Sequence, residues 1–120
     1  MSNLDIVKEA YSHFANGNFS AILSNLAQDV QWIEAEKNLV IIGRDEVSKN
    51  IFNKLHKDYT LFQVIPEKFI DAGEHIIVFS RYSCISKSSN LRKEIPVAQV
   101  ITMENHKVIQ YCEYVGSESA

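Results

Sequence analysis

The chain has 120 residues, 12 basic and 15 acidic side chains with a formal charge of -3, and a composition that is 46% hydrophobic and 22% charged. That length holds one hydrophobic core, and that balance excludes a disordered or fibrous chain. The basic residues Lys54, Lys57, Lys87, Arg92 and Lys93 are scattered among acidic and polar neighbours, which excludes a nucleic-acid-tracking surface built on clustered cations.

No apolar run approaches the roughly 20 residues needed to cross a bilayer, and residues 1–8 lack the basic start and apolar stretch of a signal peptide, so no membrane partner and a cytoplasmic location are expected. In that reducing setting Cys84 and Cys112 read as small buried apolar residues, with no paired spacing that would suggest a metal.

Along the chain, Leu4, Val7, Tyr11 and Phe14 recur at steps of three and four, which predicts an amphipathic helix over 4–14. Asn16-Gly17-Asn18 stops it, and Ile22, Leu23 and Leu26 mark a second helix over 19–26. Residues 29–36 alternate as a strand, with Val30, Trp32, Glu34 and Glu36 on one side and Gln31, Ile33 and Ala35 on the other. After Gly43, Asp45 caps a third helix to about residue 55 or 56, its inner face being Val47, Ile51, Phe52 and Leu55.

The rest is β-rich: 59–72, bent at Pro66, then 75–85, 91–103 and 107–115, joined by local turns that pair neighbours antiparallel. Helices first and a meander later predict an α+β domain over 1–116, three helices on one face of a curved antiparallel sheet, with a polar tail at 117–120. Residues 76–84 are apolar on both sides of the strand, so the outer sheet face needs a cover; a second copy, giving a homodimer through that face, is the expected one.

The order of these pieces resembles the nuclear transport factor 2-like superfamily, and within it the SnoaL-like branch that includes polyketide cyclases and ketosteroid isomerases. The resemblance is carried by Ala15-Asn16-Gly17-Asn18-Phe19, Asp29-Val30-Gln31-Trp32, Gly43-Arg44-Asp45-Glu46-Val47, Gln99-Val100-Ile101-Thr102-Met103, Lys107-Val108 and Cys112-Glu113-Tyr114. It implies a cone-shaped, cystatin-like half-barrel with a deep cavity between sheet and helices. It also implies that Glu34 stands where the isomerases hold their carboxylate base, and that Gln99 falls near a strand position where relatives place an Asp or His facing the ligand. Gln99, an amide that cannot act as a proton-donating acid, is one departure from that pattern, and the chain departs in three further places. Ala10 occupies the position of the helical oxyanion tyrosine, with Tyr11 next to it; Gly116 replaces a frequent acidic residue; and Asn105-His106 replaces an Asp-Gly hairpin.

Strand parity gives a separate reading of the site. If Phe79 faces the helices, so do Ile77, Arg81 and Ser83, and Arg81 then enters an apolar cone where its guanidinium needs a carboxylate or an anionic ligand. Glu34 and Glu113 are the candidates, and the choice decides the chemistry. A carboxylate beside arginine has its pKa lowered, whereas one left alone in an apolar cavity is raised toward the range useful for proton transfer.

The expected catalytic set is Glu34 as base, with Arg81 or Gln99 polarising an oxygen; Tyr11, Trp32, Phe79, Val97, Ile101, Tyr111 and Glu113 form the pocket. The expected ligand is a small apolar organic molecule, and the reaction a cofactor-free proton transfer or hydration on a carbonyl-bearing substrate. The alternative is a non-catalytic ligand-binding or dimerisation module of the same fold. The chain contains no Gly-rich phosphate loop, no H-E-x-x-H and no G-x-S-x-G, and His13, His56, His75 and His106 read as exposed.

Overall fold

Helix α1, Asn3–Ala15, starts at Ser2, whose hydroxyl accepts from the Asp5 backbone N–H while the Asp5 carboxylate accepts from that of Ser2, a reciprocal cap. It ends at Asn16-Gly17, Gly17 taking φ +71°. The computed structural model describes residues 1–117, so most of the polar tail expected at 117–120 lies outside the described residues. Helix α2, Phe19–Ser24, is two residues shorter than expected because Leu26 already opens strand β1, Leu26–Glu34.

The chain then makes a tight turn over Ala35–Lys37, with Asn38 left-handed at φ 50°, and returns as a short strand β2, Leu39–Ile42, antiparallel to β1. The strand expected through Glu36 thus ends at Glu34, and this hairpin follows it. Gly43, at φ 100°, redirects the chain into a continuous helical rod made of α3 (Arg44–Val47), a π-helical segment (Ser48–Phe52) and α4 (Asn53–Asp58). The cap is therefore Gly43 rather than Asp45, which instead places its charge in the first helical turn.

Strands β3 (Tyr59–Ala72), β4 (His75–Ser86), β5 (Arg92–Glu104) and β6 (Lys107–Val115) follow as the expected meander. Asn105 and His106, both with positive φ, make the last tight connection. Pro66 is tolerated because β3 is an edge strand, and the pairing with β4 shifts register there, which bends the sheet.

The six strands lie in the order β2-β1-β6-β5-β4-β3. All neighbours are antiparallel except β1 and β6, so the sheet is mixed rather than wholly antiparallel. β1 reaches β6 through helices and the whole meander instead of a hairpin, and that long path permits the parallel pairing.

The helices cover one face of the curved sheet. Val7 of α1, Val30 of β1, Val47 of α3, and Ile76 and Val78 of β4 are essentially inaccessible and form the seam. At the far end of β6, Gly116 donates its N–H to the Pro96 carbonyl at 2.8 Å, and a Cβ there would come within 2.9 Å of the Pro96 ring. Glycine is what this close approach admits. Among the described residues no helix is long and apolar enough to cross a membrane.

Candidate functional site

The sheet register assembles the site. Across the inner face Glu34 pairs with Glu113, Glu113 with Gln99, and Gln99 with Val78; one row over, Trp32 pairs with Tyr111 and Tyr111 with Ile101. Three polar side chains from β1, β6 and β5 thus lie side by side above an aromatic row. Trp32 and Tyr111 stack with ring centroids 3.9 Å apart, and Phe52 of the helical rod meets Trp32 edge-on. Together with Phe62, Tyr82 and Leu55 these residues enclose a cavity of about 360 Å³ between sheet and helices, within the range of small-molecule sites.

A directed hydrogen-bond network crosses this wall. Gln99 Oε1 accepts from the Tyr11 hydroxyl and, at 2.8 Å, from Ser80 Oγ. Its Nε2 therefore faces the other way and donates to the hydroxyls of Tyr82 (3.2 Å) and Tyr111 (2.9 Å). Those two hydroxyls donate in turn to Glu113 Oε1, at 2.8 and 3.0 Å. With the amide reversed, the tyrosines would have to donate to Gln99 and Glu113 would lose both partners, so the network fixes the amide orientation. Both tyrosine donors thus converge on Oε1 of Glu113.

Burial raises Glu113 first of all, the charges of Glu34 and Glu36 add to this, and the two tyrosine hydrogen bonds only partly oppose it; the carboxyl is pushed up to about 7. Burial likewise holds the hydroxyls of Tyr11, Tyr82 and Tyr111 above the ordinary tyrosine range, so all three stay protonated donors.

Glu34, at the end of β1, is 8% exposed and lies 3.2 Å from Lys37 Nζ, one turn further along. Burial opposes the charge on Lys37, but the neighbouring carboxylates outweigh it and hold the ammonium above its usual value. Carboxylate oxygens of Glu34, Glu36 and Glu113 lie within 4.8 Å of one another, a spacing three oxygen ligands to one cation would have, with Lys37 already at its edge.

The structure brings Glu34, Gln99, Tyr11, Trp32, Ile101, Tyr111 and Glu113 to this cavity. It does not bring Arg81, Phe79 or Val97. Phe79 is 44% exposed on the outer sheet face, and Arg81 sits beside it, half-exposed between Glu67 (3.8 Å) and Glu94 (3.9 Å). The face of β4 that turns inward is the other one, Ile76, Val78, Ser80, Tyr82 and Cys84.

Parity correctly grouped these residues but the wrong group was turned inward. The signal that separates the two was present, since only the outward group contains an ionised side chain, which water solvates at no cost. Neither Glu34 nor Glu113 pairs with Arg81. Val97 is buried with the inward group on β5 but does not line the cavity. Gln99 does line it, and both ends of its amide are engaged by protein groups. Tyr82 and Ser80 are the residues the sequence reading missed, a direct result of the reversed face.

No protein-family model matches the chain, and no curated protein matches it in sequence. Solved structures do match its fold. An NTF2-like protein from Burkholderia thailandensis E264 superposes with a TM-score of 0.91 at 20% identity, over 97% of this chain and 92% of that one. A protein designated a SnoaL-like polyketide cyclase, from Jannaschia sp. CCS1, gives 0.82 at 15% identity over 94% and 84%. A hypothetical protein of ketosteroid isomerase-like fold from Catenulispora acidiphila DSM 44928, solved in complex with trimethylamine, gives 0.81 at 17% over 91% and 83%. The resemblance read from the sequence holds at the level of the fold: this chain has the α+β cone of NTF2-like and SnoaL-like proteins.

Proposed function

We propose that the cone binds a small, mostly apolar molecule bearing a carbonyl group and moves a proton on it with two glutamates. Glu113, in its acid form and protonated on Oε2, hydrogen-bonds the carbonyl oxygen. Glu34 takes the proton from the carbon next to that carbonyl, and Glu113 stabilises the enolate oxygen that results. Return of the proton to a different carbon completes an isomerisation. The observation that carries this reading is Glu113 itself, a carboxyl buried in the wall of an apolar cavity directly beside a second carboxylate, an environment that pushes it up to about 7.

One contact favours a rival. Lys37 neutralises Glu34 at 3.2 Å, which suits a pocket that holds a ligand without transforming it.

A single experiment separates the two readings. Apolar ketones and enones are screened by thermal shift, and each stabilising compound is followed by proton NMR in deuterium oxide for exchange at the carbon beside its carbonyl. Catalysis predicts exchange by wild type that falls about 100-fold or more in Glu34→Gln and Glu113→Gln, in line with the usual worth of a general acid or base. Stabilisation with exchange equal in all three proteins leaves the binding module; no stabilising compound removes both.

We further propose a homodimer through the outer sheet face. Register places Ile77, Val100 and Cys112 in one row there and Phe79, Ala98 and Tyr114 in the next, with Phe79 and Tyr114 exposed. A contiguous apolar patch across three strands is what a second sheet would cover.

A further inference from the structure

We propose that the groove between β2 and the helical rod binds an extended acidic segment of another protein, which adds to the sheet as a strand beside β2. β2 is the end of the strand order, paired with β1 on one side, and among the described residues no strand pairs with its other side. Its four residues, Leu39-Val40-Ile41-Ile42, carry no charge, proline or bulge, the devices that ordinarily keep a free edge from recruiting another chain. Leu39, Val40 and Ile42 are 39%, 53% and 59% exposed, so three of the seven large apolar side chains exposed among the described residues are gathered on one short strand. β-Branched side chains on an open edge are the geometry that strand addition uses, main-chain hydrogen bonds giving affinity and alternate side chains giving selectivity.

The opposite wall of the groove says what the added strand carries. Lys49, Lys54 and Lys57 line it against the one acid Glu46, whose carboxylate accepts from Asn50 Nδ2 at 3.1 Å. Among the described residues none of the three lysines lies in a salt bridge. In a chain of net charge -3 this is a local cationic strip, and it faces the apolar edge across the width of the groove. A strand alternating apolar and acidic residues satisfies both walls. A second copy of β2 does not: two-fold pairing of the edges would set one lysine strip against the other.

The test uses a fluorescein-labelled octapeptide alternating valine with glutamate, its valine-lysine counterpart, and two versions of the acidic peptide N-methylated at odd or at even positions. Anisotropy should show saturable binding of the acidic peptide alone, weakening with salt. Amide shifts should concentrate on Leu39 to Ile42, and Lys49→Glu combined with Lys57→Glu should lower affinity at least about tenfold while thermal stability is retained. Strand addition further requires that one N-methylation pattern abolish binding and the other preserve it, because a strand presents alternate N–H groups to its neighbour. The proposal is overturned by no saturation up to roughly 1 mM peptide, by affinity indifferent to the lysine changes, by equal binding of both N-methylated peptides, or by a self-association that Ile42→Lys abolishes.

Discussion

Glu34 and Glu113 are direct partners across the parallel β1–β6 pair, so their carboxyl groups project from the same face of the sheet into one cavity. The charge of Glu34 is one cause of the raised Glu113, second to burial among the effects that raise it. Glu34→Gln removes that charge and releases Lys37, and both changes favour the ionised form of Glu113. Its titration midpoint, followed by carboxyl carbon NMR, should fall by up to about one unit yet stay above the ordinary carboxyl value, since burial is untouched. A midpoint that does not move would mean the two groups do not sense each other.

The same raised carboxyl ties stability to pH. Between its ordinary value of 4.5 and about 7, Glu113 holds its proton in the folded protein while the unfolded chain has released it. The folded state binds more protons across that window, so the stabilisation present below pH 4.5 is lost as pH rises through 7. At 1.36 kcal/mol per unit the contribution amounts to about 3 kcal/mol. Urea unfolding at pH 4.5, 6 and 7.5 should show the decline in wild type and a shallower one in Glu113→Gln. Equal pH dependence in the two proteins would place the titration elsewhere.

Much of this arrangement is legible in the sequence, because it rests on period. The 3.6-residue spacing in residues 4–14 and the alternation of the last four strands are set by which side chains avoid water, and the structure keeps them; residues 45–55 are helical as expected, with a π-helical segment at Ser48–Phe52 interrupting the 3.6-residue period. Pairing across long chain separations leaves no such local trace. Nothing near Leu26 or Lys107 announces that the first strand joins the last in parallel, and Leu39 to Ile42 is too short a strand to show a period. The inward face of β4 is a different case. Both faces are apolar enough to bury, and the discriminating residue was Arg81, read as a functional cation when its cost of burial argued for the surface.

Gln99 should be the least replaceable polar residue of the cavity wall. It is 3% exposed, and Tyr11, Ser80, Tyr82 and Tyr111 all bond its amide. Gln99→Leu preserves much of the volume but leaves the Tyr11 and Ser80 hydroxyls without their acceptor and removes the donor that directs Tyr82 and Tyr111 toward Glu113. A buried polar group without a partner costs about 1 to 3 kcal/mol, so a loss of roughly 2 to 5 kcal/mol in urea unfolding is expected. A loss under about 1 kcal/mol would mean the network rearranges freely.

On the outer face the expectation for Arg81 reverses. Its side chain is 41% exposed and its two acidic neighbours stand at 3.8 and 3.9 Å, which limits the ion pairs to at most about 1 kcal/mol. Arg81→Ala should therefore change unfolding free energy by less than that and leave ligand binding in the cone unaltered. Phe79→Asp and Tyr114→Asp lie in the neighbouring row, on the patch assigned to the second copy, and their effect should appear in assembly instead of folding. A charge buried there without a partner opposes association strongly. Light scattering across a dilution series should give a dimer for wild type and Arg81→Ala and a monomer of unchanged helicity for the two aspartate variants. A monomeric wild type would remove the dimer, and an undisturbed dimer in both variants would place its interface on another surface.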